Sequence, residues 1–178
     1  FGDYGDRNYR AAAEHINAAI TADSELAYYH FTQGYLYALA ADSGDETALP
    51  LAIDSFTAYL DRDRNDAIAW MNLAALHQAN NADTDALNAL VEAIALAPEY
   101  WPLWVNYGIY LEDVGFIEQA QAAYTVALEQ TNRVPYHPLW DETDLRRSLA
   151  ARYDRSPLHQ VAAALLDGTI QTQTDADI

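Results

Sequence analysis

Chemistry, if this chain performs any, has few residue types to draw on. Its five histidines are His15, His30, His77, His137 and His159. None falls in a metal-ligating spacing such as HExxH, where two histidines one helical turn apart share a face. The five serines, Ser24, Ser43, Ser55, Ser148 and Ser156, stand in cap and turn contexts. They lack the strand–turn–helix setting that exposes a nucleophile. There is no cysteine, which removes a thiol nucleophile, a disulfide framework and thiolate metal sites. No glycine-rich phosphate loop occurs. Asp61, Asp63 and Asn65 sit at calcium-loop spacing, but the loop glycine is Asp66 here and the bidentate glutamate is Asn72. A polar turn between helices accounts for that run. With 27 acidic residues, carboxylate pairs occur everywhere and none is informative. No convergent constellation remains, so the chain is expected to be no enzyme and to hold no metal or cofactor.

Charge narrows the partners. Nine arginines and no lysine leave a formal net charge of −18 over 178 residues. Nucleic-acid binding needs cations that displace counterions from phosphates, so it is not expected. An anionic membrane surface is disfavoured for the same reason. The field keeps the chain soluble and steers basic partners toward it. Most of the acidic residues are expected simply to solvate outer faces. Hydrophobic residues make up 51%, enough to furnish a core, and a compact chain of about this length buries ~70% of its unfolded surface. No stretch reaches the ~18 consecutive apolar residues that a membrane span needs, and no signal peptide is visible.

The elements follow from a repeat. In 67–100 and 101–134, Trp70 recurs as Trp104, Leu73 and Ala74 as Tyr107 and Gly108, Ala86 as Ala120, Leu90 as Tyr124, and Ala93 as Ala127, each 34 residues on. Ala52, Phe56 and Arg62 match Ala86, Leu90 and Leu96, whereas Gly34 stands 40 residues before Ala74. Six residues are therefore inserted between Gly34 and Ala52, and the acidic run Asp42–Glu46 is the expected place. A further 40-residue step back puts Ala12, Ile16 and Ala19 on the inward face of a helix over 8–21. A small residue at Gly34, Ala74 and Gly108 lets a neighbouring helix approach. Leu90 and Tyr124 fill the space that this approach leaves. A single helix pair cannot bury its apolar face alone, so the pairs must stack.

A 34-residue period with these landmarks recurring together resembles the tetratricopeptide repeat (TPR). The resemblance covers roughly residues 9–134. It implies an all-α fold, a right-handed solenoid of stacked antiparallel helix pairs with C-terminal capping helices. The expected organisation is an array over 1–136, made of a half repeat 1–26 and repeats 27–66, 67–100 and 101–134. A degenerate capping pair follows over 137–168, then a flexible tail over 169–178. The cap is signalled by Tyr136-His137-Pro138-Leu139-Trp140, which echoes Tyr100-Trp101-Pro102-Leu103-Trp104 two residues out of step.

Local signals place the helix ends. Ser24 and Asp83 suit N-caps, and Asp141 with Asp144 can cap a helix that Trp140 and Leu145 staple. Asn81 and Gly115 suit the left-handed position that ends a helix, and Pro50 and Pro102 suit first turns. Ser156-Pro157 starts a last helix that Gly168 stops. Trp70 and Trp104 each place a large apolar surface at a seam between units. Arg133, Arg146, Arg147, Arg152 and Arg155 gather in the cap. These arginines could pair with the acidic body of the array or with a neighbouring subunit, but Arg146 and Arg147 are expected to pair only with Glu142 and Asp144 along their own helix.

The resemblance also implies where function lies, because first helices in such arrays line the concave face. That face would carry Tyr28, Phe31, Thr32 and Tyr35, then Met71, Asn72, Ala75 and Gln78, then Val105, Asn106, Ile109 and Glu112. The peptide-binding groove is accordingly expected at Tyr28, Phe31, Tyr35, Met71, Asn72, Ala75, Val105, Asn106 and Ile109. Asn72 and Asn106 are one repeat apart, where their amides can hydrogen-bond a peptide backbone. The lysines and arginines with which family members clamp a C-terminal carboxylate are missing, so acidic tails are not expected to bind. An apolar protein or peptide segment suits the groove, giving a non-catalytic interaction module or scaffold. Burial of the aromatics under the insertion, or self-filling by the chain's own C-terminal helix, is the competing account.

A second function stands beside it. Similar arrays serve as accessory domains of larger enzymes, such as membrane-embedded polymerases or ligases of envelope polysaccharide, or glycosyltransferases. Residues 1–22 read as the second half of a helix pair, which suits a piece of a longer chain. The unpaired helix would expose Ile16 and Ile20 and could support a homo-oligomer through that end. Compartment is not encoded in any of these features.

Overall fold

In the computed structural model, residues 8–131 and 138–153 are described. They form eight α-helices: α1 (Tyr9–Ala22), α2 (Ala27–Asp42), α3 (Ala48–Leu60), α4 (Ala67–Ala79), α5 (Asp83–Leu96), α6 (Trp101–Asp113), α7 (Ile117–Thr131) and α8 (Asp144–Tyr153). A 3-10 turn at Pro138–Asp141 precedes α8. No strand occurs among the described residues, and no described helix is long and apolar enough to cross a membrane. The fold is the expected all-α stack. Helices pack chiefly in the pairs α2–α3, α4–α5 and α6–α7, with α1 against α2 and α8 against α7. The expected last helix, the tail 169–178, Arg133 and Arg155 lie outside the described residues.

The core is segmented, as stacked units require. One buried cluster joins α1 to α4 through Ala13, Tyr37, Ala52, Phe56 and Leu73. The other joins α4 to α8 through Ala74, Leu90, Tyr124, Leu128, Trp140 and Leu149. Trp70 packs against both. Its indole N–H donates to the Arg64 carbonyl at 2.9 Å, and Trp104, one repeat later, donates to the Pro98 carbonyl at 2.8 Å. The seam tryptophans thus tie down the connector as well as filling space.

The small landmarks work by contact. A Cβ on Gly34 would meet the Phe56 ring at 2.8 Å, and one on Gly108 the Tyr124 ring at 2.6 Å. Asn81 and Gly115 adopt the left-handed backbone, φ 56° and 88°, as their spacing predicts. Asp66 caps α4 by accepting from the amides of Ile68 and Ala69, and its other oxygen accepts from Tyr59 at 2.8 Å. The 61–66 run is therefore a capped turn.

The six inserted residues are spread over three places. Eight residues follow Gly34 in α2 against five after Ala74 in α4. The connector 43–47 has five residues where 80–82 has three, and Ala52 is the fifth residue of α3 where Ala86 is the fourth of α5. The insertion thus lengthens α2 by nearly a turn.

Four local expectations are corrected. Ala13 is the buried residue of α1, and Ala12 is exposed. Ala13 precedes Gly34 by 21 residues, one fewer than separate Ala52 from Ala74, so a 40-residue step overshoots by one. Ser24 does not cap α2; its N-cap is Leu26, without a side-chain bond. Asp83 lies inside α5, whose N-cap is Ala82. The cap of α8 is Thr143, whose hydroxyl accepts from the Arg146 amide at 3.2 Å.

Candidate functional site

Successive first helices α2, α4 and α6 leave two hollows between them. The larger, about 390 Å³, lies among α2, α3 and α4. Tyr35, Leu39, Asp42 and Ala38 line it from α2, Glu46 from the connector, Leu49 and Phe56 from α3, and Asn72, Ala75, Leu76 and Ala79 from α4. The smaller, about 110 Å³, lies between α4 and α6 and is lined by Met71, Ala75, Gln78, Leu90, Asn106 and Ile109 among others. Ala75, an exposed residue of α4, lines both hollows. A third hollow, about 420 Å³, sits away from these, beside Arg64, Trp70, His77, Asp85, Asn88 and Glu92.

Six of the nine expected groove residues come together in this way: Tyr35, Asn72 and Ala75 in the larger hollow, with Met71, Ala75, Asn106 and Ile109 in the smaller. Three do not. Tyr28 is 67% exposed near the start of α2, outside both hollows. Phe31 is turned inward, edge-on to Phe56 and Tyr59 at ring-centre distances of 5.4 and 5.2 Å. Val105 is 2% exposed and belongs to the core. Its place in the expected groove is a correction, because α6 is wedged between α5 and α7 and hides that side. Of the remaining residues on the expected face, Thr32 bonds the Tyr28 carbonyl, and Gln78 donates to Asp113 at 3.0 Å.

The amides of Asn72 and Asn106 line the hollows and have no partner among the described residues. A side-chain amide can donate and accept together, so each of the two can hydrogen-bond a peptide unit of an extended segment.

Leu39, Asp42, Glu46 and Leu49 were not anticipated in the lining. Their signal was the insertion itself, read from spacing as a cover for the aromatics. It acts instead as a wall, and Tyr35 stays 52% exposed. Asp45 pins the wall by accepting from Arg10 at 2.9 Å, and Thr47 accepts from the same guanidinium at 2.6 Å. Hydrogen bonds from Thr47 and Arg10 hold the Asp45 carboxyl below the ordinary carboxylate value. Asp42 and Glu46 form no ion pair among the described residues. Among the described residues, no Arg or His lines either hollow.

Glu112, expected on the groove face, is drawn into a buried network. Arg146 is 4% exposed. Its Nε donates to Glu112 at 2.8 Å and to the Tyr124 hydroxyl at 2.9 Å, and Tyr124 donates to Glu112 at 2.7 Å. The guanidinium also reaches Glu142 at 2.6 Å, as the helix spacing predicts, and Arg147 pairs with Asp144. The reach of Arg146 across to α6 and α7 was invisible in the sequence, because its partners are 34 and 22 residues away.

No family model matches the chain, and no curated protein matches it. Among solved structures, a crystal structure of MamA protein aligns with TM-score 0.66 at 17% identity, over 94% of this chain and 88% of that one. A second MamA structure gives 0.61 at 20% identity, over 95% and 98%. The TPR domain of Sgt2 from Aspergillus fumigatus gives 0.54 at 18% identity, over 85% and 88%. At these identities the likeness concerns the fold, a TPR-like stack.

Proposed function

We propose that the groove formed by α2, α4 and α6 binds a segment of another protein, and that the chain serves as a non-catalytic interaction module. The observation that carries this reading is the pair of hollows that share Ala75, with the amides of Asn72 and Asn106, one repeat apart, unpaired among the described residues. An apolar trough with a few placed polar groups matches the general character of binding sites. Backbone register from amides, with side chains seated between helices, is a recurring way to hold an extended or helical segment. The TPR-like stack supports it by supplying a rigid frame of paired helices. Among the described residues no group of three His, Cys, Asp or Glu side chains could hold a metal ion.

The test places a photo-crosslinking phenylalanine analogue at Tyr35, in the groove, or at Glu118, on exposed α7. The reading expects a crosslinked protein from position 35, lost when Ala75→Trp fills the edge that the two hollows share and weakened by Asn72→Ala with Asn106→Ala. Equal crosslinking from both positions, or crosslinking indifferent to Ala75→Trp, would remove the groove from consideration.

A further inference from the structure

We infer that the segment taken up by the larger hollow is cationic as well as apolar. It would seat a bulky apolar side chain on Leu39, Leu49 and Ala75 and set a neighbouring lysine or arginine against Asp42 and Glu46. This rests on the groove reading above and names the chemistry of its occupant.

The floor of the hollow is apolar, and its volume, about 390 Å³, lies in the range of small binding pockets. Its rim is not neutral. The insertion places two carboxylates, Asp42 and Glu46, on one wall. Asp45, between them in sequence, is engaged by Arg10 and Thr47 and does not line the hollow. One acid of the run thus anchors the loop, and the two that flank it line the hollow with no ion-pair partner among the described residues. No positive side chain of the described residues lines the hollow with them.

Charge complementarity selects the occupant. A carboxylate pair at the mouth of an apolar site raises the local concentration of cationic groups and repels acidic ones, which confers specificity more than raw affinity. The range of the effect is about a Debye length, ~8 Å at physiological salt, so it distinguishes residues next to the seated side chain. The chain's own residues 154–178 hold four aspartates (Asp154, Asp167, Asp175, Asp177) and only Arg155. A second copy brings a net charge of −18. Both are opposed by the rim.

The experiment uses the full chain and two fluorescent twelve-residue synthetic peptides. They share a central Phe-Leu pair and differ only in flanks, lysine in one and glutamate in the other. Anisotropy at ~0.15 M salt should show the lysine peptide binding at least about tenfold tighter, with an advantage that shrinks as salt rises. Asp42→Asn with Glu46→Gln should erase most of that advantage. Glu118→Gln with Glu129→Gln, on α7, should leave it intact. Ala75→Trp, or Ala-Ala in place of Phe-Leu, should weaken the lysine peptide severalfold. Circular dichroism checks that each variant keeps its helicity.

An advantage equally sensitive to the α7 pair would assign it to the general acidity of the chain and overturn the inference. If both peptides bind alike and both are lost in Ala75→Trp, the groove stands and its cationic preference falls. If neither binds, both readings fall. Self-association abolished by Ala75→Trp would give the groove to a second copy instead.

Discussion

A Cβ on Gly108 would lie 2.6 Å from Cε1 of Tyr124, whose ring is fully buried. The ring cannot retreat, since Trp140 stacks edge-on at 5.9 Å and the Arg146 guanidinium lies over it at 5.6 Å. Alanine in a helix is intrinsically better than glycine by about 1 kcal/mol, but overpacking a tight core costs about 1–3 kcal/mol. Gly108→Ala should therefore destabilise by about 1 kcal/mol in urea denaturation, and Gly108→Leu far more. A more stable Gly108→Ala protein would show that Tyr124 has room to move.

The Arg146–Glu112–Tyr124 network joins α8 to the α6–α7 pair. Removing one member of a buried ion pair strands the other, typically at about 3–5 kcal/mol, whereas replacing both can be nearly neutral. Glu112→Leu should be strongly destabilising, and Glu112→Leu combined with Arg146→Met should recover most of the loss. A double variant that loses the sum of the single losses would mean that the two side chains act independently.

The same network sets a pH dependence. Burial alone would push the Glu112 carboxyl up, but hydrogen bonds from Tyr124, Thr143 and Arg146 and the Arg146 charge outweigh it and hold it below its ordinary value. A lowered folded-state pKa contributes stability above the unfolded value, about 4.3 for glutamate, that is lost as pH falls through the lower folded value. The melting temperature should accordingly fall more steeply below about pH 4.3 in the wild type than in Glu112→Gln. At the alkaline end, burial and then the bond to Glu112 push the Tyr124 phenol up. That contribution is present below the unfolded value, about 10, and lost as pH rises above it. Tyr124→Phe should flatten the alkaline limb. Parallel curves for variant and wild type at either end would refute that assignment.

Most of the fold was legible because its determinants are local or periodic. The 34-residue recurrence located each helix pair, and Gly34, Gly108, Asn81 and Gly115 announced close approach or a left-handed turn through residue type alone. What stayed hidden depended on distance in sequence. Arg146 looked like a partner for Glu142 and is one, but nothing local reveals that it also reaches Glu112 through a buried gap. Val105 and Phe31 shared the helical phase of the groove residues, yet phase cannot tell a residue facing an open trough from one rotated slightly into a neighbour. The insertion was visible as six extra residues, but whether it would lid the groove or wall it depended on α2 extending by nearly a turn. Ser24 and Asp83 had suitable cap chemistry one or more positions away from where the helices begin, the usual margin for helix ends.

Arg10 holds the insertion against α1 through Asp45 and Thr47. Both ionic partners keep about a third of their side-chain surface in solvent, 39% and 31%, so little global stability rests on them. Their effect should be local. In Arg10→Ala, hydrogen exchange at the amides of 43–47 should accelerate while α5 and α6 stay unchanged. In the wild type the protection factors at 43–47, corrected for the intrinsic slowing of exchange in acid, should fall on acidification. The Asp45 pKa is lowered, so its contribution is present above the ordinary aspartate value and lost as pH falls through the folded one. Unaltered exchange at 43–47 in the variant would mean that the backbone bonds of the turn suffice to hold the wall.

Trp70 and Trp104 repeat both a ring position and a hydrogen bond, each indole donating to a carbonyl six residues earlier. Phenylalanine keeps an aromatic ring and removes the donor, so each Trp→Phe change should cost about 0.5–1.5 kcal/mol for the bond. The two should differ beyond that. The Pro98 carbonyl keeps a second donor, Gln130 at 2.7 Å, whereas Trp70 also receives the Arg64 guanidinium over its face at 5.3 Å and packs on both core clusters. Trp70→Phe should therefore lower the urea midpoint more than Trp104→Phe. If Trp104→Phe proves the costlier change, the coupling of the two core segments runs through α6 and its neighbours rather than through the seam at Trp70.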